Sequence, residues 1–259
     1  MDETYQAYLN RVTKLTLPDA YRSQIQNIQE SPKFHGGIAV PFPGYTINTP
    51  GEADGRNQSF YRHLVATQAL MMSAVEEMEP GLILPVPSES FHLTVADLIW
   101  DSNYHEALAH TPDYEGQLCD RLAQSFTKYQ ASIPERGPIE LQIVGLLVRP
   151  RAVAIVLVPI DELSYHKMLQ LRRAVYQNSG LIALGIEQQY PFTAHIPLGY
   201  FAHTLTPTHY DRFLDIIMNL NDRWLGAEPE ILRSHRAELH KFDDMNHFYH
   251  QPRFPTVEF

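Results

Sequence analysis

The sequence has little cysteine and no long apolar run, and both shortages narrow the class of protein. Cys119 is the only cysteine among 259 residues, so no internal disulfide can form. We expect it to lie in the core of a protein from a reducing compartment. The longest apolar stretch, residues 152–160, is far too short to span a bilayer. The acidic, polar start of the chain is unlike a signal peptide. We therefore expect a soluble, cytoplasmic protein that does not use a membrane.

Three motifs of common hydrolases and nucleotide-binding proteins are also missing. The chain contains no Gly-rich phosphate loop, no Gly-x-Ser-x-Gly turn and no His-Glu-x-x-His helix. The nucleotide triphosphatases, serine hydrolases and zinc proteases built on these motifs are therefore not leading candidates. The formal charge of −10 argues against a long nucleic acid as partner, because its groove would need a basic stripe. A small anionic ligand is still compatible with this charge, since a local pocket of donors can bind it.

The order of predicted elements favours an α+β fold with antiparallel sheets. Helices are predicted within 3–30 and over 60–78, 114–129, 163–176 and 208–220. Strands are predicted over 36–40, 139–148, 152–158 and 231–242, and around residues 92 and 195. The short connection between 148 and 152 implies an antiparallel hairpin. Residues 41–55 are predicted to form a long loop, Gly180 to end the helix over 163–176, and the tail to be irregular.

What the chain does contain is a pair of matching segments, residues 90–98 and 192–200. Each sets one histidine, His92 or His195, within a short apolar run typical of a strand. Because residues i and i+2 project from one face of a strand, His92 and Thr94 should point together. An imidazole can gain or lose a proton near neutral pH, and a neighbouring hydroxyl can donate a hydrogen bond to a phosphoryl oxygen. The pattern therefore favours acid–base chemistry on a phosphate.

These segments resemble the signature of the 2H phosphoesterase superfamily, which is two copies of His-x-Thr/Ser-x with apolar residues at x. Residues 92–95 match in full, whereas residues 195–198 match at three of four positions because Pro197 replaces the Thr or Ser. Pro197 has neither a hydroxyl nor an N–H, and a proline within a strand indicates an edge or a bulge. The resemblance extends over the element order from about residue 36 to 242. It is strongest to a bacterial branch with an N-terminal extension and a Phe-Pro-Gly-x-Thr loop, here residues 42–46.

The resemblance implies a bilobal fold, in which two antiparallel sheets related by a pseudo-twofold axis enclose a central cleft and helices cover the outer faces. It divides the chain into an N-terminal helical extension, residues 1–35, and one bilobal domain, residues 36–259. It also implies hydrolysis, without a metal or other cofactor, of cyclic phosphodiesters such as 2′,3′-cyclic nucleotides or RNA ends. His92 and His195 would be the catalytic acid–base pair, in an order left open, and Thr94 would bind the phosphate. We expect a monomer with a small nucleotide or RNA-end substrate.

Two alternative functions stay open at this point. Because Pro197 cannot hold a phosphate oxygen as Thr or Ser would, the second hypothesis is a protein that binds a nucleotide or phosphate without turnover. The third is a metal-dependent hydrolase that uses histidines near the end of the chain, although their spacing matches no familiar metal site. These histidines are His235, His240, His247 and His250.

Five further residues have an ordinary structural interpretation that we favour over a functional one. We expect His35 to be a solvated loop residue. Tyr45 and Tyr200 lie close to the resemblance motifs, and we expect them to pack against neighbours. Arg149 and Arg151 flank a turn and are expected to be solvated, with a phosphate clamp as the alternative.

Overall fold

The computed structural model describes residues 3–51, 55–133, 135–224 and 228–259. The helices are α1 Tyr5–Lys14, α2 Pro18–Ile25, α3 Gln58–Met78, α4 Asp101–His110, α5 Tyr114–Ser132, α6 Glu162–Tyr176, α7 Ser179–Ile182 and α8 Tyr210–Asp222. The strands are β1 Phe34–His35, β2 Ile38–Ala39, β3 Gly44–Asn48, β4 Ile83–Pro85, β5 Thr94–Trp100, β6 Ile139–Arg149, β7 Ala152–Pro159, β8 His195–Phe201, β9 Ile231–Ser234, β10 Arg236–Asp244, β11 His247–Tyr249 and β12 Thr256–Glu258.

Two five-stranded antiparallel sheets form the frame of the molecule. The first has the order β11-β10-β3-β5, with β12 also paired to β10, and its strand β5 begins two residues after His92. The second has the order β4-β8-β7-β6-β9, and His195 is the first residue of β8. Each sheet therefore carries one of the two histidine segments, and the predicted α+β class with antiparallel sheets is confirmed.

The hairpin of β6 and β7 shows how the sequence builds the second sheet. Almost every residue of β7 is apolar, and its side chains are buried on both faces. Val153 and Ile155 enter the main core, which also includes residues of the first sheet. Ala154 and Val156 pack on the opposite face in a smaller cluster with Tyr8 of α1. Because α1 covers this face, β7 shows a continuous apolar run instead of an alternating one.

The proline- and glycine-rich residues 41–55 do not form the long loop that the sequence predicts. Gly44–Asn48 is strand β3, which lies between β10 and β5 and is buried throughout. Gly44 is required there, because a Cβ atom would lie 2.3 Å from the carbonyl oxygen of Ile99. The Phe-Pro-Gly-x-Thr segment is therefore partly strand, and its prolines and glycines concealed a short central strand from sequence analysis.

The C-terminal region also differs from the prediction. The single strand expected over 231–242 is two strands, because the chain leaves the second sheet after β9 and enters the first as β10. The tail, predicted to be irregular, contributes β11 and β12 to the first sheet. Local periodicity indicates that a segment is extended, but pairing partners far along the chain decide which sheet it joins.

Four smaller corrections concern helix ends and short elements. The helix over 163–176 is confirmed as α6, but Gly180 does not end it, because Gly180 lies within α7. Helix α4 was not predicted. The strand expected over 36–40 is part of the hairpin β1–β2, in which His35 pairs with Ile38. His35 is therefore in a strand and not in a loop, although its side chain is exposed as expected.

Candidate active site

Residues from both sheets line one cavity of about 240 Å³. Its walls include His92, Thr94 and Asp97 from the first sheet and Thr193, His195 and Pro197 from the second. The structure therefore brings both predicted histidines, the predicted phosphate-binding Thr94 and the atypical Pro197 to a single cleft.

The two imidazole rings are held in the same way. The Nδ1 atom of His92 lies 2.7 Å from the carbonyl oxygen of Ser90, two residues earlier in the chain. The Nδ1 atom of His195 lies 2.7 Å from the carbonyl oxygen of Thr193, again two residues earlier. Because a carbonyl oxygen only accepts hydrogen bonds, Nδ1 carries the proton in each ring. In the neutral state each ring therefore has its free lone pair on Nε2.

The surroundings lower the pKa of both histidines. The pKa of His92 is lowered to about 3, mainly by burial and also by the nearby His240 and His195, whereas the Ser90 carbonyl acts in the opposite direction. Burial also lowers the pKa of His195, assisted by the charges of Arg149 and Lys33, whereas the Thr193 carbonyl and the Asp97 carboxylate raise it. Both rings are therefore neutral at pH 7 in the empty cleft.

Thr94 belongs to a small hydroxyl and amide network. Its hydroxyl donates a hydrogen bond to Asn48 Oδ1 over 3.1 Å, and the hydroxyl of Thr46 donates to the same atom over 3.1 Å. Thr46 also lines the cavity, although sequence analysis did not single it out. The buried Nδ2 of Asn48 has no partner among the described residues. A hydroxyl proton can rotate, so Thr94 can turn its donor toward a ligand. If the Asn48 amide flips at the same time, its Nδ2 donates a hydrogen bond to Thr94 Oγ1.

Asp97 is a cavity residue that sequence analysis missed. Strict alternation along β5 would place Asp97 on the opposite face from His92 and Thr94. The pairing of β5 with β3 slips twice, so that Asn48 opposes Thr94 whereas Thr46 opposes Asp97. These irregularities turn Asp97 into the cleft. The Tyr190 hydroxyl donates to the Asp97 carboxylate, and the Tyr176 hydroxyl donates to the Asp97 backbone oxygen over 2.9 Å.

Pro197 lies at an irregular part of β8, as predicted. The β7–β8 register shifts between Val153 and Ala154, and Ala154 opposes Pro197. The β4–β8 pairing ends at Gly199. Beyond that point the Gln68 side chain bridges the strands, because its Nε2 donates to the oxygens of Leu198 and Val86 over 2.7 Å each. The sheet thus accommodates a residue without an N–H at this position.

Two cations also line the cleft. Lys33 lies 5.2 Å above the ring of Tyr200, which is buried and borders the cavity. Arg172 donates to the carbonyl oxygen of Val95 over 2.5 Å and stacks on Phe192 at 4.6 Å. Sequence analysis singled out neither cation, because an isolated Lys or a helical Arg is usually solvated.

The other candidate residues take the structural roles that we expected of them, with one qualification. Tyr45 is buried, and its hydroxyl donates to Glu115 over 2.6 Å. Cys119 is partly buried against the core. Arg149 and Arg151 are both exposed. Arg149 nevertheless lies near enough to His195 for its charge to act on the pKa of that ring.

Two of the C-terminal histidines are neighbours, but a third lies apart from them. His240 and His250 have ring centroids 5.7 Å apart, and His247 is exposed beside Asp244. Within the described ranges, no three His, Cys, Asp or Glu side chains are grouped so that they could hold a metal ion. None of the described helices has the length and apolar character needed to cross a membrane.

Solved structures share this fold. ATU0111 of Agrobacterium tumefaciens, a conserved protein of unknown function, is 16% identical over 85% of this chain and 90% of its own, with a TM-score of 0.56. TT0787 of Thermus thermophilus is 15% identical over 83% of this chain and 96% of its own, with a TM-score of 0.50. Escherichia coli LigT bound to 3′-AMP is 13% identical over 84% of this chain and 95% of its own, with a TM-score of 0.43.

At these identities the likeness shows a common fold, and only the first two structures overlap well enough to support that statement. A scan of family models and a search of curated proteins each find no match to the sequence. The chain therefore shares its fold with ATU0111 and TT0787.

Proposed function

We propose that this protein with a 2H phosphoesterase fold is a phosphodiesterase that opens a small cyclic phosphodiester by acid–base catalysis between two histidines. The substrate would be a 2′,3′-cyclic nucleotide or an RNA-terminal cyclic phosphate. The observation that carries the proposal is the matched anchoring of His92 and His195 through Nδ1 at one cleft. It leaves two Nε2 atoms available to one ligand, as proton transfer from water and to a leaving oxygen requires.

We assign His92 as the base and His195 as the acid. The neighbouring His240 disfavours a charged His92, whereas the Asp97 carboxylate favours a charged His195. A bound phosphate anion raises the pKa of both rings, and His195, which faces the carboxylate as well, is then protonated first. This proton is the one that the leaving oxygen needs.

The reaction requires no covalent intermediate. Nε2 of His92 takes a proton from water as the water oxygen bonds to phosphorus. The bond from phosphorus to one ribose oxygen breaks, and that oxygen receives the proton from Nε2 of His195. The product is a ribose phosphomonoester; His92 then returns its proton to solvent, and His195 takes up a proton again when the next anionic substrate binds.

The phosphate would be held mainly from the first sheet. The Thr94 hydroxyl can donate to a phosphate oxygen once it turns from Asn48. Lys33 and Arg172 supply positive charge at the cleft of a chain whose formal charge is −10. Pro197 offers no donor, so the second sheet contributes its histidine without a matching hydroxyl.

The test is hydrolysis of 2′,3′-cyclic nucleotides and short cyclic-phosphate oligonucleotides by the purified protein in EDTA. We expect turnover by the native protein and its loss in both His92→Ala and His195→Ala. His35→Ala, which replaces an exposed histidine outside the cleft, is the matched control and should keep full activity. Full activity in both cleft variants would reject the mechanism.

Pro197 supports one second candidate, a protein that binds a nucleotide or phosphate at this cleft without hydrolysing it. Calorimetric titration with nucleoside 2′- and 3′-monophosphates separates the two candidates. Binding together with turnover of the cyclic substrates favours the enzyme. Binding without turnover under any of the tested conditions favours the second candidate.

A further inference from the structure

A second cavity, larger than the first, lies beside the cleft. Its volume is about 410 Å³, against about 240 Å³ for the cleft. Tyr8 and Arg11 of α1 form one wall, and Tyr165 and Arg173 of α6 lie in another. Phe192, three residues before His195, also borders it. The size is within the range of about 300–1,000 Å³ that is common for small-molecule sites.

The two cavities share a boundary of two side chains. Arg172 and Phe192 line both of them. The Arg172 guanidinium stacks on Phe192 and bonds to the backbone of Val95, the residue after Thr94. The cavities are therefore neighbours, and a ligand extending from Thr94 into the second one would have to pass these two side chains.

Helix α1 holds the wall between the cavities in place. Arg11 donates to the backbone oxygen of Phe192 over 2.6 Å and to the hydroxyl of Thr193 over 3.0 Å. The Tyr8 hydroxyl accepts a hydrogen bond from the N–H of Ala194 over 3.2 Å. Residues 192–194 lead directly to His195, so α1 both forms the second cavity and supports the strand that carries this histidine.

The chemistry of the second cavity suits an anionic, aromatic group. Among the described residues of its lining, Arg11, Arg172 and Arg173 each carry a positive charge, whereas Glu3 supplies the one negative charge. Glu3 is bound to Arg11 through both of its oxygens, at 2.9 and 3.2 Å from Nε. The lining is therefore positive within a strongly acidic chain. One guanidinium group can donate to two phosphate oxygens at once, so this lining favours a phosphodiester.

Aromatic rings complete the lining. They belong to Tyr8, Tyr165, Tyr176 and Phe192. Any of the four nucleobases can stack on such rings, because each has a π-face. Rings and guanidinium groups together are the usual surface for single-stranded nucleotides.

We infer that the second cavity binds the nucleotide that precedes the terminal one, whose ribose carries the cyclic phosphate. The preferred substrate is then the end of an oligonucleotide rather than a cyclic mononucleotide. This inference rests on the proposed function, because it takes the cleft as the site of the cyclic phosphate. It gives α1 a direct part in substrate selection.

The test compares kcat/KM for 2′,3′-cyclic AMP with kcat/KM for a diadenylate that ends in a 2′,3′-cyclic phosphate. We expect the dinucleotide to be preferred by about tenfold or more, the effect of stacking one base. Leu169→Trp fills the second cavity, and Arg173→Glu reverses one of its charges. Each variant should abolish the preference while leaving kcat/KM for 2′,3′-cyclic AMP within about twofold of the native value.

Arg62→Glu is the matched control, because Arg62 is an exposed helical arginine that lines neither cavity. It should keep the preference for the dinucleotide. Equal kcat/KM for the two substrates in the native protein would overturn the inference. So would a preference that survives both Leu169→Trp and Arg173→Glu. Thermal unfolding identifies a variant that fails to fold, and the other variant then decides.

A binding experiment separates this inference from the proposed function. Calorimetry measures the affinity of His92→Ala for adenosine 3′-monophosphate and for the diadenylate with a 3′-phosphate. Absence of hydrolysis in the native protein together with tighter binding of the dinucleotide would reject the proposed function and retain the second cavity. Turnover of 2′,3′-cyclic AMP together with equal binding of the two products would retain the function and overturn the inference.

Discussion

The two histidine segments share one backbone device but lie in unequal surroundings. In each, Nδ1 bonds to a carbonyl oxygen two residues earlier at 2.7 Å, so both rings present the same nitrogen. His92 lies against the ring of Phe248 and near His240. His195 lies near Asp97 and Arg149. Matching local geometry therefore gives two rings with the same tautomer, and the unequal neighbours allow them different roles.

The residues two positions after the histidines, Thr94 and Pro197, also lie in unequal surroundings. On the first sheet Thr94 joins the polar network of Asn48. On the second sheet Pro197 lies at a register shift, where the Gln68 side chain bonds to the backbone. One segment retains a group that can bind a phosphate, whereas the other has only a backbone adaptation.

The largest effect is expected from removing either ring. His92→Ala and His195→Ala should each lower kcat by about 10³-fold, since general acid and base catalysis contribute about 10²–10⁴. The double variant should be little worse than either single one, because the two rings act as a unit. Single-turnover rates on a linear dinucleotide that ends in a 2′,3′-cyclic phosphate measure these losses. Losses that multiply in the double variant would show that the rings act independently.

Substitutions two residues after each histidine should change kcat in opposite directions. Thr94→Val should lower kcat by about 100-fold, the usual effect of removing one donor to a developing anion. Pro197→Thr should raise it, by less than the Thr94 loss, because the strand is adapted to a proline. Pro197→Ala is the matched control, since it removes the ring and adds no hydroxyl. A similar gain in Pro197→Ala would mean that backbone shape, and not the missing hydroxyl, limits the rate.

The pH dependence should separate the two rings. Both pKa values are lowered from the usual 6.5, so the bell-shaped profile of kcat/KM should have its maximum on the acidic side of that value. Asp97→Asn removes a negative charge near His195, so the pKa of His195 falls and the alkaline limb moves to lower pH. His240→Asn removes a group that disfavours charged His92, so the acidic limb moves to higher pH. Limbs that stay fixed in both variants would contradict the assigned roles.

The smallest effect is expected at the rim of the cleft. Tyr190→Phe removes the hydroxyl that donates to the Asp97 carboxylate. We expect kcat/KM to fall by about fivefold, comparable to one hydrogen bond of about 1 kcal/mol. Tyr249→Phe is the control, because Tyr249 is a tyrosine bonded to an aspartate, Asp243, outside both cavities. Equal losses in the two variants would indicate a general change in stability.

The elements with a local signal were predictable from the amino-acid pattern alone. Apolar spacing predicted the helix that the structure shows as α3, a short connection predicted the hairpin of β6 and β7, and Pro197 predicted an irregular strand. Two apolar runs with a histidine also predicted which strands would meet at a cleft. The first three of these features depend on residues that are close together in the chain, whereas the fourth follows from the likeness of two distant segments.

Which side chains join those histidines depends on the packing of the whole molecule. Asp97 enters the cleft because β5 slips against β3, a strand that prolines and glycines concealed. The division of 231–242 between two sheets and the packing of α1 against residues 192–194 depend on partners far away in the chain. Periodicity records which face of its own element a residue occupies, whereas register and packing are set by the rest of the molecule.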